Sequence, residues 1–158
     1  MNLLPVPLQP LDPGQLVLMR LRAAASAIVV LAAGAVAEVA LPPRVPTGIA
    51  MLPALLVAAW LVLVAPRRRY RCWGWAFTGS ELHVARGWWI RVHTVVPVAR
   101  VQHIDISEAP LERRCGVATL VLHTAGTEHS RVSLPGIARG EAEAIRDTIR
   151  AAVAQTPW

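Results

Sequence analysis

The sequence predicts a membrane α-helical hairpin followed by a small α+β domain, and three observations carry that expectation. Apolar residues make up 54% of the 158-residue chain and charged residues only 16%, against a charged share of about 25% in ordinary soluble domains. The charge is also unevenly spread: from Ala23 to Ala65 only Glu38 and Arg44 interrupt an apolar sequence. Beyond residue 75 the pattern changes to short alternating runs punctuated by Gly and Pro, closed by one amphipathic segment.

Residues 1–22 read as a cytoplasmic N-terminal segment, 23–41 and 47–65 as the two spans, 66–74 as a basic juxtamembrane linker, and 75–158 as the β-rich domain. Each span has 19 residues, and a helix of that length reaches about 28 Å, close to the hydrocarbon thickness of a bilayer. Pro42, Pro43 and Pro46 between them stop the first helix and force a tight turn, so the spans run antiparallel. Arg20 and Arg22 precede the first span, and Arg67, Arg68, Arg69 and Arg71 follow the second, while the loop carries Arg44 alone. Both termini are therefore expected in the cytoplasm, which makes the chain a multi-pass protein of the inner, cytoplasmic membrane. The same four arginines are candidates for anionic-lipid contact.

Small residues recur at four-residue spacing, as Ala33 and Ala37 in the first span and Ala50, Ala54 and Ala58 in the second. Such stripes let helix backbones approach closely in lipid and are read as the packing surface of the hairpin. Glu38 stands near the outer end of its span, where its carboxylate is expected to reach water. Pro53 is expected to kink the second helix. Ala35-Val36-Ala37 also has the form of a signal-cleavage site, but the second span and the arginines after it favour the hairpin.

In the remaining chain, Glu81–Gly87 and Trp88–Val96 read as two strands around a tight turn, and Pro97 interrupts. Val101–Ser107, Val117–Thr124 and Glu128–Leu134 read as further strands, with Ala125-Gly126 as a turn. The segment Ala109–Gly116 reads as a turn or short helical segment, Pro135-Gly136 as a break, and 138–154 as an amphipathic helix with Ala138, Ala142, Ile145, Ile149 and Val153 on one face.

The run Pro97–Gly126 resembles the signature of the bacterial PH-like domain found in YdbS-type membrane-flanked proteins. The matching positions are Arg86-Gly87, Pro97, Arg100-Val101-Gln102, Pro110-Leu111, Arg113, Gly116, Leu120 and Thr124-Ala125-Gly126. Cys115 departs from the pattern, which more often has a bulky apolar or aromatic residue there. The resemblance implies a PH-like split β-barrel with a C-terminal capping helix. It also implies a larger membrane protein with related PH-like domains as a partner, or self-association.

No catalytic constellation stands out. His83, His93, His103, His123 and His129 fall on expected strands without metal-ligand spacing, and Cys72 and Cys115 form no CxxC pair. Serines lack a nucleophile-elbow setting, and no phosphate-binding glycine loop is present. No metal or cofactor is expected, nor is nucleic acid, because the +6 charge comes without a binding motif. The leading expectation is a non-enzymatic, membrane-anchored interaction domain, a subunit of a bacterial cell-envelope complex, with Arg100, Arg113 and Arg114 as candidate interaction residues. Its rivals are anionic-lipid recognition at the cytoplasmic leaflet and an enzyme with an unrecognised site.

Overall fold

The computed structural model describes residues 6–87, 89–124 and 131–154. The elements are α1 (Pro13–Ala40), α2 (Met51–Leu63), α3 (Ala65–Arg71), β1 (Gly74–Phe77), β2 (Glu81–Arg86), β3 (Val92–Pro97), β4 (Val101–Ser107), α4 (Pro110–Arg114), β5 (Val117–Thr124), β6 (Arg131–Ala138) and α5 (Arg139–Ala154). They fall into two compact units: one is Leu16–Arg69, and the other joins the segment up to Gln15 with the chain from Tyr70 onward.

In the helical unit, α2 starts after a turn and holds Pro53 in its first turn, where the missing N–H has no intrahelical partner to lose. The helix is interrupted at Val64, two residues before Pro66. Backbone bonds still run through the break, with the Val64 N–H donating to the Trp60 carbonyl and the Arg68 N–H to the Val64 carbonyl, both at 3.0 Å.

The β unit holds two antiparallel three-stranded sheets, in the orders β1-β2-β3 and β4-β5-β6. The split barrel expected from the resemblance thus takes the form of two separate sheets, and among the described residues no strand pairing closes them into a barrel. Alternation sets the core: Leu82, Val84, Val96, Leu120, Leu122 and Leu134 all turn inward. A 3-10 turn, Val98–Arg100, carries the chain from one sheet to the other, and Val98 and Val101 on either side of the exposed Ala99 and Arg100 join the same core. Helix α5 lies on β5, β6 and this turn, and contributes Ala142, Ile145 and Ile149.

Several boundaries differ from expectation. β3 begins at Val92 rather than residue 88, because the turn after β2 is longer than the two-residue kind. β1 escaped the sequence reading: it is four residues long, too short for a period to declare itself. Pro135-Gly136 does not break β6. The register shifts opposite Ala118/Thr119, and Gly136 takes up the irregularity with φ +74°, a conformation only glycine adopts freely. The turn at Ala125-Gly126 and His129 lie outside the described residues.

The largest difference concerns the segment before α1, expected to stand outside the domain. Gln9 and Trp75 exchange backbone hydrogen bonds of 2.7 and 2.9 Å, which adds a bridge to the edge of β1. Leu11 is fully buried in the core, and the Tyr70 hydroxyl donates to its carbonyl. The Asp12 N–H donates to the Gly136 carbonyl at 2.9 Å. Its side chain caps α1 by accepting from the Gly14 N–H at 2.7 Å, with Pro13 as the first helical residue. The aliphatic part of Gln15 lies over Gly136, where a Cβ would collide with it.

Leu11→Ala is expected to destabilise the β unit of the full-length protein by about 2–5 kcal/mol, the cost of emptying a fully buried leucine site. Denaturant unfolding in detergent, followed by near-ultraviolet circular dichroism, reads this directly. An unchanged midpoint would show that the segment is an appendage.

Candidate functional site

The two apolar helices form the first candidate surface. Both are long and apolar enough to cross a membrane, as Pro13–Ala40 and Met51–Arg71. Their side chains are not covered by the rest of the chain: Val36 is 70% exposed and Leu56 65%, with Ile28, Val29, Leu52, Leu55 and Leu63 also outside. A core helix of a soluble domain would bury that stripe, so these faces need an apolar solvent.

Within the helical unit, Ala54 and Ala58 are buried and Ala50 is half-buried. On α1 the close approach belongs to Gly34, not to Ala33 or Ala37, which are exposed. A Cβ at Gly34 would stand 2.6 Å from the Ala54 Cβ, so only glycine admits α2 at this distance. The sequence stripe was displaced by one position, because a glycine was not weighed among the alanines.

Glu38 does not simply reach for water. Its carboxylate accepts hydrogen bonds from the N–H of Gly48, from Ala50 at 3.0 Å and from Met51 at 3.3 Å. These are the donors that the start of α2 leaves without intrahelical partners, and Ala50 has no side chain to cap them. A negative charge there also complements the helix dipole. Sequence reasoning missed this role, because the pairing spans the proline turn and no local capping pattern announces it.

Basic residues form the second candidate surface. Arg67, Arg68, Arg69 and Arg71 all lie exposed on α3. Arg100 is exposed in the 3-10 turn, and Arg113 and Arg114 are exposed on α4. The Glu108 carboxylate sits between two guanidinium groups, 3.8 Å from Arg113 Nε and 3.4 Å from Arg139 Nε. Glu112 closes the start of α4 by accepting from the Ala109 N–H at 3.0 Å. Arg113 is therefore engaged in an ion-pair cluster, while among the described residues Arg100 and Arg114 make no ion pair. Hydrogen bonding to Glu143 pushes the Arg139 guanidinium pKa up, and the hydrogen bond from Arg146 holds the Asp147 carboxyl below its ordinary value.

Strand pairing gathers four of the five histidines into two pairs. His103 and His123 face each other across β4 and β5, and Asp105 receives both, at 2.9 and 3.4 Å. His83 and His93 stack with ring centroids 5.5 Å apart. Glu81 approaches His83 Nε2 to 3.3 Å, without the alignment of a hydrogen bond. Among the described residues no group of three or more ligating side chains is arranged to hold a metal ion. Cys72 and Cys115 are free thiols, both half-buried.

The chain matches the bacterial PH domain family over residues 19–153, a range that takes in α1 from Met19 onward and all of α2. It is 33% identical over 101 residues to the UPF0699 transmembrane protein YdbS of Bacillus subtilis (strain 168), which covers 60% of this chain and 62% of the relative. The chain thus spans somewhat under two thirds of that relative's length. No solved structure matches the chain significantly.

Glu38→Ala is expected to weaken the helix pair by about 1–2 kcal/mol through loss of the cap, and Glu38→Gln, which keeps one acceptor oxygen, by less. Equilibrium denaturation of the reconstituted protein, with fluorescent labels on α1 and α2, measures the difference. Equal stability of all three proteins would remove the capping role.

Proposed function

The chain belongs to the bacterial PH domain family, and from that premise we propose that it is a non-enzymatic, membrane-anchored interaction module, one subunit of a cell-envelope membrane complex. That it is a membrane protein follows from the transmembrane relative and the two apolar helices. The observation that carries the rest of the reading is the attachment of the β unit to those helices. α3 ends at Arg71 and β1 starts at Gly74, so two residues separate them, and Tyr70 and Trp73 on either side of Cys72 pack against the β core. A domain held this closely to a bilayer meets other membrane proteins at a high effective concentration.

The β unit offers surface for a partner. Among the described residues β3 and β4 each pair on one side only, and open strand edges accept an added strand. Arg100 and Arg114 present cations beside that edge region of the sequence, in the 3-10 turn before β4 and in α4 after it. The partner best suited is a larger membrane protein with related PH-like domains, or a second copy of this chain. The distribution of arginines supports cytoplasmic placement of both termini.

A second reading, anionic-lipid recognition, is favoured by the four exposed arginines of α3, each worth about 1 kcal/mol near an anionic leaflet. That attraction is generic and orients the domain without choosing a headgroup.

Two measurements test the proposal. Affinity purification of the tagged full-length protein from native membranes in mild detergent is expected to recover a stoichiometric membrane protein, or a defined homo-oligomer. Recovery of the monomer alone would overturn the complex-subunit reading. Fusion of green fluorescent protein or alkaline phosphatase to the C-terminus is expected to give fluorescence and no phosphatase activity, and the reverse pattern would invert the topology.

A further inference from the structure

The turn between β2 and β3 carries an apolar tip that the β unit leaves uncovered. Trp89 is 87% exposed and Ile90 74%, whereas every other tryptophan described in this unit is buried or half-buried. Single exposed apolar side chains are ordinary on protein surfaces. A tryptophan and an isoleucine adjacent at the end of a hairpin are less so, because both are large and apolar. The turn that presents them is closely built. Arg86 and Val92 are the last cross-strand pair, and Gly87 has φ +113°, where a Cβ would collide with the Ile90 carbonyl oxygen, so no side chain fits there.

The charge around the tip has one sign. Arg86 and Arg91 flank it and both are exposed. No acidic residue occurs between Glu81 and Asp105, so nothing on either strand past Glu81 offsets them. An apolar wedge flanked by two exposed arginines matches the boundary of an anionic bilayer, where tryptophan favours the headgroup level and arginine the phosphates. The tether between α3 and β1 is two residues.

We propose that the Trp89–Ile90 tip docks into the anionic leaflet next to the membrane spans, with Arg86 and Arg91 on lipid phosphates, and gives the β unit a second point of membrane attachment. The tip thereby limits which faces of the unit remain open to a partner. The proposal rests on the cytoplasmic placement given above only for the source of the anionic lipid.

The test uses the full-length chain in nanodiscs of phosphatidylcholine, with or without phosphatidylglycerol. Cys72 and Cys115 are replaced by serine, and Ile90→Cys is labelled with an environment-sensitive fluorophore. Trp89→Cys provides a second labelling site and Gln102→Cys an exposed control on β4. The expected result is a blue-shifted emission at 89 and 90, quenched by headgroup-proximal spin-labelled lipid, in discs containing phosphatidylglycerol. The control stays aqueous. Arg86→Gln and Arg91→Gln are each expected to lower the docked-to-free ratio about fivefold. Aqueous emission at both sites in anionic discs would overturn the proposal, and so would a shift indifferent to phosphatidylglycerol. A shift appearing only in native membranes, with the label cross-linking to a co-purified polypeptide, would assign the tip to a protein and overturn it too. Because a nanodisc exposes both leaflets, the outcome is independent of chain orientation, which the reporter fusions decide separately.

Discussion

The leucines and valines of α1 and α2 have to leave water, and the chain itself does not cover them. Each half-exposed side chain regains on the order of 1 kcal/mol when it enters lipid, so a dozen of them outweigh any other term that the helical unit can offer. Lipid in turn demands that every backbone donor at membrane depth find a partner within the protein. Glu38 answers that demand at the one place where a short hairpin must break helix geometry. Its carboxylate reaches across the proline turn to the first N–H groups of α2. Gly34 answers a second demand, since without a hydrophobic force between helices the pair must gain its packing from close approach.

The β unit is shaped by its attachment to those helices. It contains the first turn of α1, with its Asp12 cap, and the last residues of α3. Leu11 enters the core before the first span, and Tyr70 and Trp73 pack against it after the second. The chain therefore enters and leaves the helical unit through residues that are part of the β core. A unit of six short strands and one long helix has a limited apolar interior, and sharing its core with the flanking segments enlarges it. Chain from both sides of the hairpin thus contributes to the β core.

Much of this was legible in the sequence, and the misses have physical causes. The spans declared themselves by uninterrupted apolar length. β4 and β5 stood where alternation placed them, because their neighbours on both sides are turn residues. The start of α1 was lost ten residues early, since Pro-rich sequence around Leu8–Pro13 reads as coil. The Asp12-Pro13 pair, a cap followed by a first helical residue, was the signal that could have found it. β6 runs through Pro135 because it is an edge strand, where a missing donor costs no ladder bond, and Gly136 absorbs the bulge. For the candidate arginines the sequence shows their positions but not what they engage. Glu108 lies five residues from Arg113 but thirty-one from Arg139, and only the fold brings both guanidinium groups to it. The histidine pairs likewise depend on register, which composition does not specify.

The exposed apolar faces of α1 and α2 call for lipid, and we propose that the two helices meet it as an integral hairpin. Alkaline carbonate extraction of native membranes carrying the full-length protein tests it most directly. An integral hairpin stays with the membrane pellet and leaves it only with detergent. Quantitative release into the supernatant would mean that the helices lie on the bilayer or against another protein, and the account would fail.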